Sequence, residues 1–120
     1  MKENILKLKS LAFAIRVVNL YKFLIAEHKE FVLSKQILRS GTAIGALIRE
    51  AEYGQSKLDF IHKMSIALKE ANETEYWINL LKDTEYIDEK LFQSLVNDCQ
   101  ELLRLLIASI KTIKLKINSQ

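Results

Sequence analysis

The chain has 120 residues, of which 49% are apolar and 28% charged, with no proline, three glycines and a net charge of +3. That length fits one domain, 1–120, around one core, and the composition excludes both a disordered chain and a sheet protein that needs many turns. The single cysteine, Cys99, excludes an internal disulfide, and no window approaches the roughly 18 uncharged apolar residues of a membrane span, so a cytoplasmic protein without membrane contact is expected.

The lack of proline and scarcity of glycine leave long stretches free to be helical. Four helices are expected, at about 5–27, 35–53, 57–82 and 89–115. The first segment carries Lys7, Lys9 and Arg16, so it has no uncharged signal core. Its apolar residues fall on two rows, Leu8, Ala12 and Ile15 on one and Phe13, Val17, Leu20 and Leu24 on the other. In the second, Ile37, Gly41, Ile44, Ile48 and Ala51 recur at steps of four and three, which is one stripe of a helix. Ser34 is its expected N-cap, and Gly54 suits the left-handed position that ends it.

The third helix opens on Ser56 and Asp59, the spacing of a capping box. Phe60, Met64, Ala67, Ala71, Thr74, Ile78 and Leu81 form its stripe. Asp88 is the expected N-cap of the fourth, whose stripe is Leu95, Cys99, Leu102, Leu106, Ile110, Ile113 and Ile117. Leu103, Leu105, Ile107 and Leu115 lie outside that stripe. Short connections at 54–56 and 83–88 make neighbours antiparallel. The expected architecture is therefore an all-α, up-down-up-down four-helix bundle. The surplus apolar surface on helices 1 and 4 marks either a self-association interface or two central helices covered by the others.

Little in the sequence carries reaction chemistry. A metal-binding bundle uses Glu-x-x-His pairs on two helices, and the nearest match is Asp59-x-x-His62, where Asp59 is better explained as a cap. His28 has no carboxylate three residues before it, and Cys99 falls on an apolar stripe. Gly41 and Gly45 sit within a helix and lack the Lys-Ser/Thr of a phosphate loop. They imply close approach of another helix or, less simply, a shallow groove. No enzyme activity, metal or cofactor is expected. An antiparallel hairpin turning near Gln55 brings Arg39 level with Glu70, Glu73 and Thr74, a pairing that would fix register between helices 2 and 3.

Bundle topology also sorts the charges. One end gathers Lys2, Lys7, Lys9, Arg49, Lys57, Lys63, Lys111, Lys114 and Lys116 against Glu3, Glu50, Glu52 and Asp59. The other holds Glu27, Glu30, Asp83, Glu85, Asp88 and Glu89. A basic end is the footprint of a phosphate-backbone binder, and Tyr53 and Gln55 beside it could stack on or hydrogen-bond an unpaired base. Lysines in a last helical turn also complement the helix dipole and keep a protein soluble.

The stretch Gln36–Ala51, followed by Ser56–Ala71 and Asn72–Leu81, resembles the bacterial four helix bundle protein family, whose founding members are encoded by intervening sequences in large-subunit ribosomal RNA genes. Arg39-Ser40-Gly41-Thr42 together with Lys69-Glu70-Ala71-x-Glu73-Thr74 carry the resemblance. The chain departs from the family pattern at Ala43, where serine is usual, and at Leu47, where asparagine is usual. The resemblance implies a bundle that assembles into a ring, most often a homopentamer, and a distant relation to the RNA-binding accessory proteins of diversity-generating retroelements. It implies no enzymatic activity.

Two functions are consistent with these readings. In the first, a homo-oligomeric bundle contacts RNA backbone through Lys7, Lys9, Arg49, Lys57, Lys63, Lys111 and Lys114. In the second, the bundle is a scaffold for a protein partner with no nucleic-acid role.

Overall fold

The structure, a computed structural model, describes the backbone of residues 2–119 and the side chains of residues 5–119. Its elements are α1 (Lys2–His28), α2 (Leu33–Glu52), α3 (Lys57–Asp83) and α4 (Glu89–Asn118). Each helix packs on the next in the chain, and α4 closes back on α1 along a sparser seam. Cross-links between helices show the antiparallel order: Lys7 meets Glu52, Arg39 meets Glu70, Lys82 meets Glu89 and Arg16 meets Asp98. The result is a four-helix bundle of 53 × 22 × 20 Å.

The apolar stripes face inward. Ile37, Gly41, Ile44, Ile48 and Ala51 of α2 are buried, as are Met64, Ala67, Ala71, Thr74, Ile78 and Leu81 of α3. α1 contributes Leu6, Phe13, Val17, Leu20 and Leu24, and α4 contributes Leu95, Cys99, Leu102, Leu106 and Ile110. Among the described residues four polar side chains share this interior, Ser10, Ser34, Ser40 and Thr74. Among the described residues none of the buried side-chain polar atoms lacks a hydrogen-bond partner. The Ser40 and Thr74 hydroxyls meet at 2.8 Å across the α2–α3 seam.

Two expectations about helix ends are corrected. Ser34 is not the N-cap of α2 but a buried residue inside it. The cap position is Val32, which has no capping side chain, and Glu30 supplies the carboxylate instead. Its oxygens accept from the backbone N–H groups of Val32 and Leu33 at 3.1 Å and of Ser34 at 2.7 Å. Partial burial pushes the Glu30 carboxyl up, and these three N–H groups together more than offset it, so the group sits below its usual range. Lys29, left-handed at φ 53°, turns the chain so that Glu30 can fold back.

Gly54 is the second correction, because it does not adopt a positive φ. α2 ends instead in a tight turn, with the N–H groups of Tyr53 and Gly54 bonding the carbonyls three residues back. Left-handed residues lie instead in the other two connections, at Lys29 and at Glu85, the latter with φ 67°. The two other caps lie where the sequence puts them: Ser56 accepts from Asp59 N–H at 3.0 Å, and Asp88 from Leu91 N–H at 2.8 Å.

Gly41 and Gly45 divide between the two readings of a glycine strip. A Cβ on Gly41 would lie 2.7 Å from a Val17 methyl, so α1 and α2 are in close contact there. A Cβ on Gly45 would meet Ser10 at ordinary distances, 3.4 Å and beyond. Gly45 instead borders an open groove of about 540 Å³ between α1 and α2, with Leu8, Leu11, Ala14 and Ala46.

The surplus apolar surface is resolved differently on the two helices. On α4, Leu103 and Leu105 are half-buried against the core, and Ile107 and Leu115 remain exposed. On α1, Ile5, Leu8, Leu11 and Ile15 are all exposed. At 100° per residue they lie opposite Leu6, Phe13 and Val17, so this half of α1 is apolar on both sides.

Candidate nucleic-acid interface

The end that gathers positive charge is built from the first turns of α1, the α2–α3 connection and the last turns of α4. Leu6, Ile48, Glu52, Phe60, Met64, Thr112, Ile113 and Lys116 line one small cleft of about 70 Å³, which sets these segments level with one another. The side chains of Lys2 and Glu3, counted with this end in the sequence, lie outside the described residues.

The seven candidate RNA contacts separate into two groups. Lys7 pairs with Glu52 at 3.1 Å, Lys63 with Glu50 at 3.1 Å and Lys9 with Glu101 at 3.2 Å. Glu101 lies well inward along α4, so the Lys9 pair belongs to the α1–α4 flank. Arg49, Lys57, Lys111 and Lys114 are exposed and have no ion pair among the described residues. Counting charges by end does not show this division, because pairing depends on which side of each helix a carboxylate occupies.

Around the α2–α3 connection runs an open groove lined by Arg49, Glu50, Tyr53, Gln55, Ser56, Asp59 and Lys63. Within it Glu50 is neutralised by Lys63, and Asp59 accepts from Gln55 N–H at 3.2 Å. Tyr53 stands out of it, 78% exposed, more than any other exposed large apolar side chain described.

The polar seam between α2 and α3 is separate. Arg39 Nη1 lies 3.1 Å from Glu70 Oε1, and its Nη2 bonds Glu73 Oε2. Trp77 Nε1 donates to the same Glu73 oxygen at 3.0 Å. That indole bond leads in holding the Glu73 carboxyl below its usual range; burial opposes it and Arg39 reinforces it. Glu73 in turn raises the Arg39 guanidinium against the opposing effect of burial, with Glu70 adding to it. Arg39 and Glu73 are thereby held in their ionised forms. Ala43 and Leu47 are half-buried, and Leu47 packs against the core.

Of the remaining candidates for chemistry, Cys99 is buried and its Sγ contacts the Ala71 carbonyl at 3.3 Å. Burial pushes its thiol up to about 12, with Glu75 and Asp98 adding to the shift. At that value the nucleophilic thiolate is scarce near neutral pH. His28 packs edge-on between Phe23 and Tyr86, at 5.2 and 5.3 Å. Among the described residues no three His, Cys, Asp or Glu side chains come together as a metal ion would require. No described helix is long and apolar enough to cross a membrane.

The fold and this end together define an all-α bundle with one cationic pole and a strongly paired polar seam. The chain belongs to the 23S rRNA-intervening sequence protein family, whose pattern matches residues 2–108. A crystal structure of a protein of unknown function from the S23 ribosomal protein family of Bacteroides thetaiotaomicron VPI-5482 has the same fold, with a TM-score of 0.91. It is 65% identical, over 92% of this chain and 99% of that one. No curated protein matches the chain.

Proposed function

We propose that this protein is a non-enzymatic, cytoplasmic, homo-oligomeric bundle that contacts RNA backbone through its cationic pole. The observation that carries the reading is the group of exposed cations at that pole without an ion pair among the described residues: Arg49, Lys57, Lys111 and Lys114 of the candidate contacts, with Lys116 beside them. Lys7 and Lys63 stand beside them and could exchange a carboxylate for a phosphate, since exposed ion pairs contribute only about 0–1 kcal/mol. Membership of a family named for a ribosomal RNA intervening sequence agrees with an RNA partner. Self-association is supported by the exposed apolar row Ile5, Leu8, Leu11 and Ile15. Repetition of the pole around a ring, five-membered by family resemblance, would turn weak patches into avid ones. Arg39, Glu70 and Glu73 act as a register clamp between α2 and α3.

The test is RNA binding by size-exclusion chromatography with light scattering, followed by titrations at several salt concentrations. Four phosphate contacts per bundle give a slope of log affinity against log salt of about −3, or roughly a 50-fold loss between 50 and 200 mM salt. The triple variant Lys57→Glu, Lys111→Glu and Lys114→Glu should lose RNA and keep its oligomeric state. An oligomer indifferent to RNA refutes this reading and favours a protein-binding scaffold. A clean monomer refutes the self-association part.

A further inference from the structure

We infer that the α2–α3 connection is a site for an unpaired nucleotide, with its base stacked on Tyr53 and its flanking phosphates held by Arg49 and Lys57. The inference rests on the RNA reading above and adds to it which RNA the pole takes: loops and single strands rather than duplex.

Three observations carry it. First, Tyr53 is an aromatic side chain held out from the fold, 78% exposed, at the mouth of a groove instead of in a core. A phenol ring there has no packing role within the bundle, and a free π-face is what a base requires. Second, the groove is close to neutral. Lys63 is matched by Glu50, and the other two charged side chains of the lining, Asp59 and Arg49, are opposite in sign, so the lining offers mixed donors and acceptors without net charge. A phosphate gains little in such a groove, whereas the polar edge of a base can use Gln55, Ser56 and the carboxylates. Third, the unpaired charges flank the groove: Arg49 on its wall, one turn before Tyr53, and Lys57 at the start of α3. Base in the middle and phosphates at the sides is the order in which a single strand presents them. In a duplex the base faces are stacked on their neighbours and closed to Tyr53.

The experiment uses the full chain with three fluorescent RNAs of equal length: a mixed-sequence single strand, the same strand carrying abasic positions, and a blunt duplex. Wild type should prefer the single strand. Tyr53→Ala should weaken single-strand binding by about 5- to 150-fold, the equivalent of ~1–3 kcal/mol per stacked base at 1.4 kcal/mol per tenfold. It should leave the duplex affinity and the salt slope unchanged, and Tyr53→Phe should restore binding. The abasic strand should bind wild type no better than the intact strand binds Tyr53→Ala. Because Tyr53 is exposed, the variant's helicity by circular dichroism should equal that of wild type. Equal binding of all three RNAs, with Tyr53→Ala silent and the Lys57/Lys111/Lys114 reversal still disabling, overturns the nucleotide site and leaves the backbone reading standing. Absence of binding to every RNA overturns both.

Discussion

Alanine at the two interhelical glycines should shift stability in opposite directions. Relative to glycine, alanine gains about 1 kcal/mol inside a helix, and that gain is common to both positions. At Gly41 the new Cβ would sit 2.7 and 2.9 Å from the two Val17 methyls and 3.2 Å from its Cβ. Carbon atoms normally rest about 3.5–4.0 Å apart, so Val17 would have to move by nearly an ångström. It cannot swing aside, because it is 1% exposed and branched at Cβ. Overpacking of this kind costs about 1–3 kcal/mol, which leaves Gly41→Ala destabilised by about 1 kcal/mol net. At Gly45 the nearest atoms lie at 3.4, 3.5 and 3.6 Å, so the propensity gain survives. Gly45→Ala should be stabilised by about 0.5–1 kcal/mol.

The assay is chemical unfolding followed by far-ultraviolet circular dichroism, at one fixed protein concentration so that assembly contributes equally to each variant. The two variants should differ by about 2 kcal/mol, and Val17→Ala should make Gly41→Ala less harmful, because the lost methyls vacate the space the new one needs. A Gly41→Ala protein as stable as wild type would refute the close-contact argument. Equal destabilisation at both positions would show that the glycines serve something other than the α1–α2 distance.

Glu30→Ala should destabilise the bundle by about 1–2 kcal/mol in thermal unfolding, since three backbone N–H groups at the start of α2 lose their acceptor. Glu30 and Glu73 hold their protons less readily folded than unfolded, so their contribution is complete above the usual carboxylate range. It is lost as pH falls through their lowered folded values, and unfolding midpoints measured from pH 7 down to pH 3 should decline less steeply in Glu30→Gln than in wild type. Glu85→Gly relieves a non-glycine residue at φ 67° and should raise stability by about 0.5–1 kcal/mol by denaturant titration. Cys99 should resist a thiol reagent at pH 8 in the native protein and react at once when the chain is unfolded in denaturant, as its raised thiol and burial require.

The helices were legible because each core stripe repeats at three and four residues without interruption, and burial follows that repeat from Ile37 to Ala51 and from Met64 to Leu81. Arg39 came level with Glu70 and Glu73 from hairpin geometry alone, since a short turn leaves little freedom of register. The start of α2 was not legible. Cap rules look for a short polar side chain at the cap itself, and Ser34 answers that description. The cap actually comes from Glu30, two residues before Val32, and depends on a left-handed Lys29 that no composition signal marks. Gly54 misled for a related reason: glycine permits a left-handed exit without requiring one. The ion pairs of Lys7, Lys9 and Lys63 were hidden because they depend on azimuth around each helix, which the position of a residue along the bundle does not give.

Those pairs make assembly and RNA binding interdependent on the proposed reading. With Lys7, Lys9 and Lys63 engaged, a single bundle keeps four of the seven candidate contacts free, which gives only a weak hold on RNA at moderate salt. Several bundles bound to one strand would add their counterion release, so the salt slope of the assembly should exceed the single-bundle value of about −3. The apolar row on α1 provides the means to separate the two. Leu8→Gln, Leu11→Gln and Ile15→Gln together alter only exposed side chains opposite the core, so each bundle should stay folded while the oligomer disperses. The dispersed protein should bind single-stranded RNA more weakly, with a slope no steeper than about −3, although every cation is still present. Undiminished affinity and an unchanged slope in a protein shown by light scattering to be monomeric would mean that one pole suffices. The ring, if formed, would then serve something other than RNA.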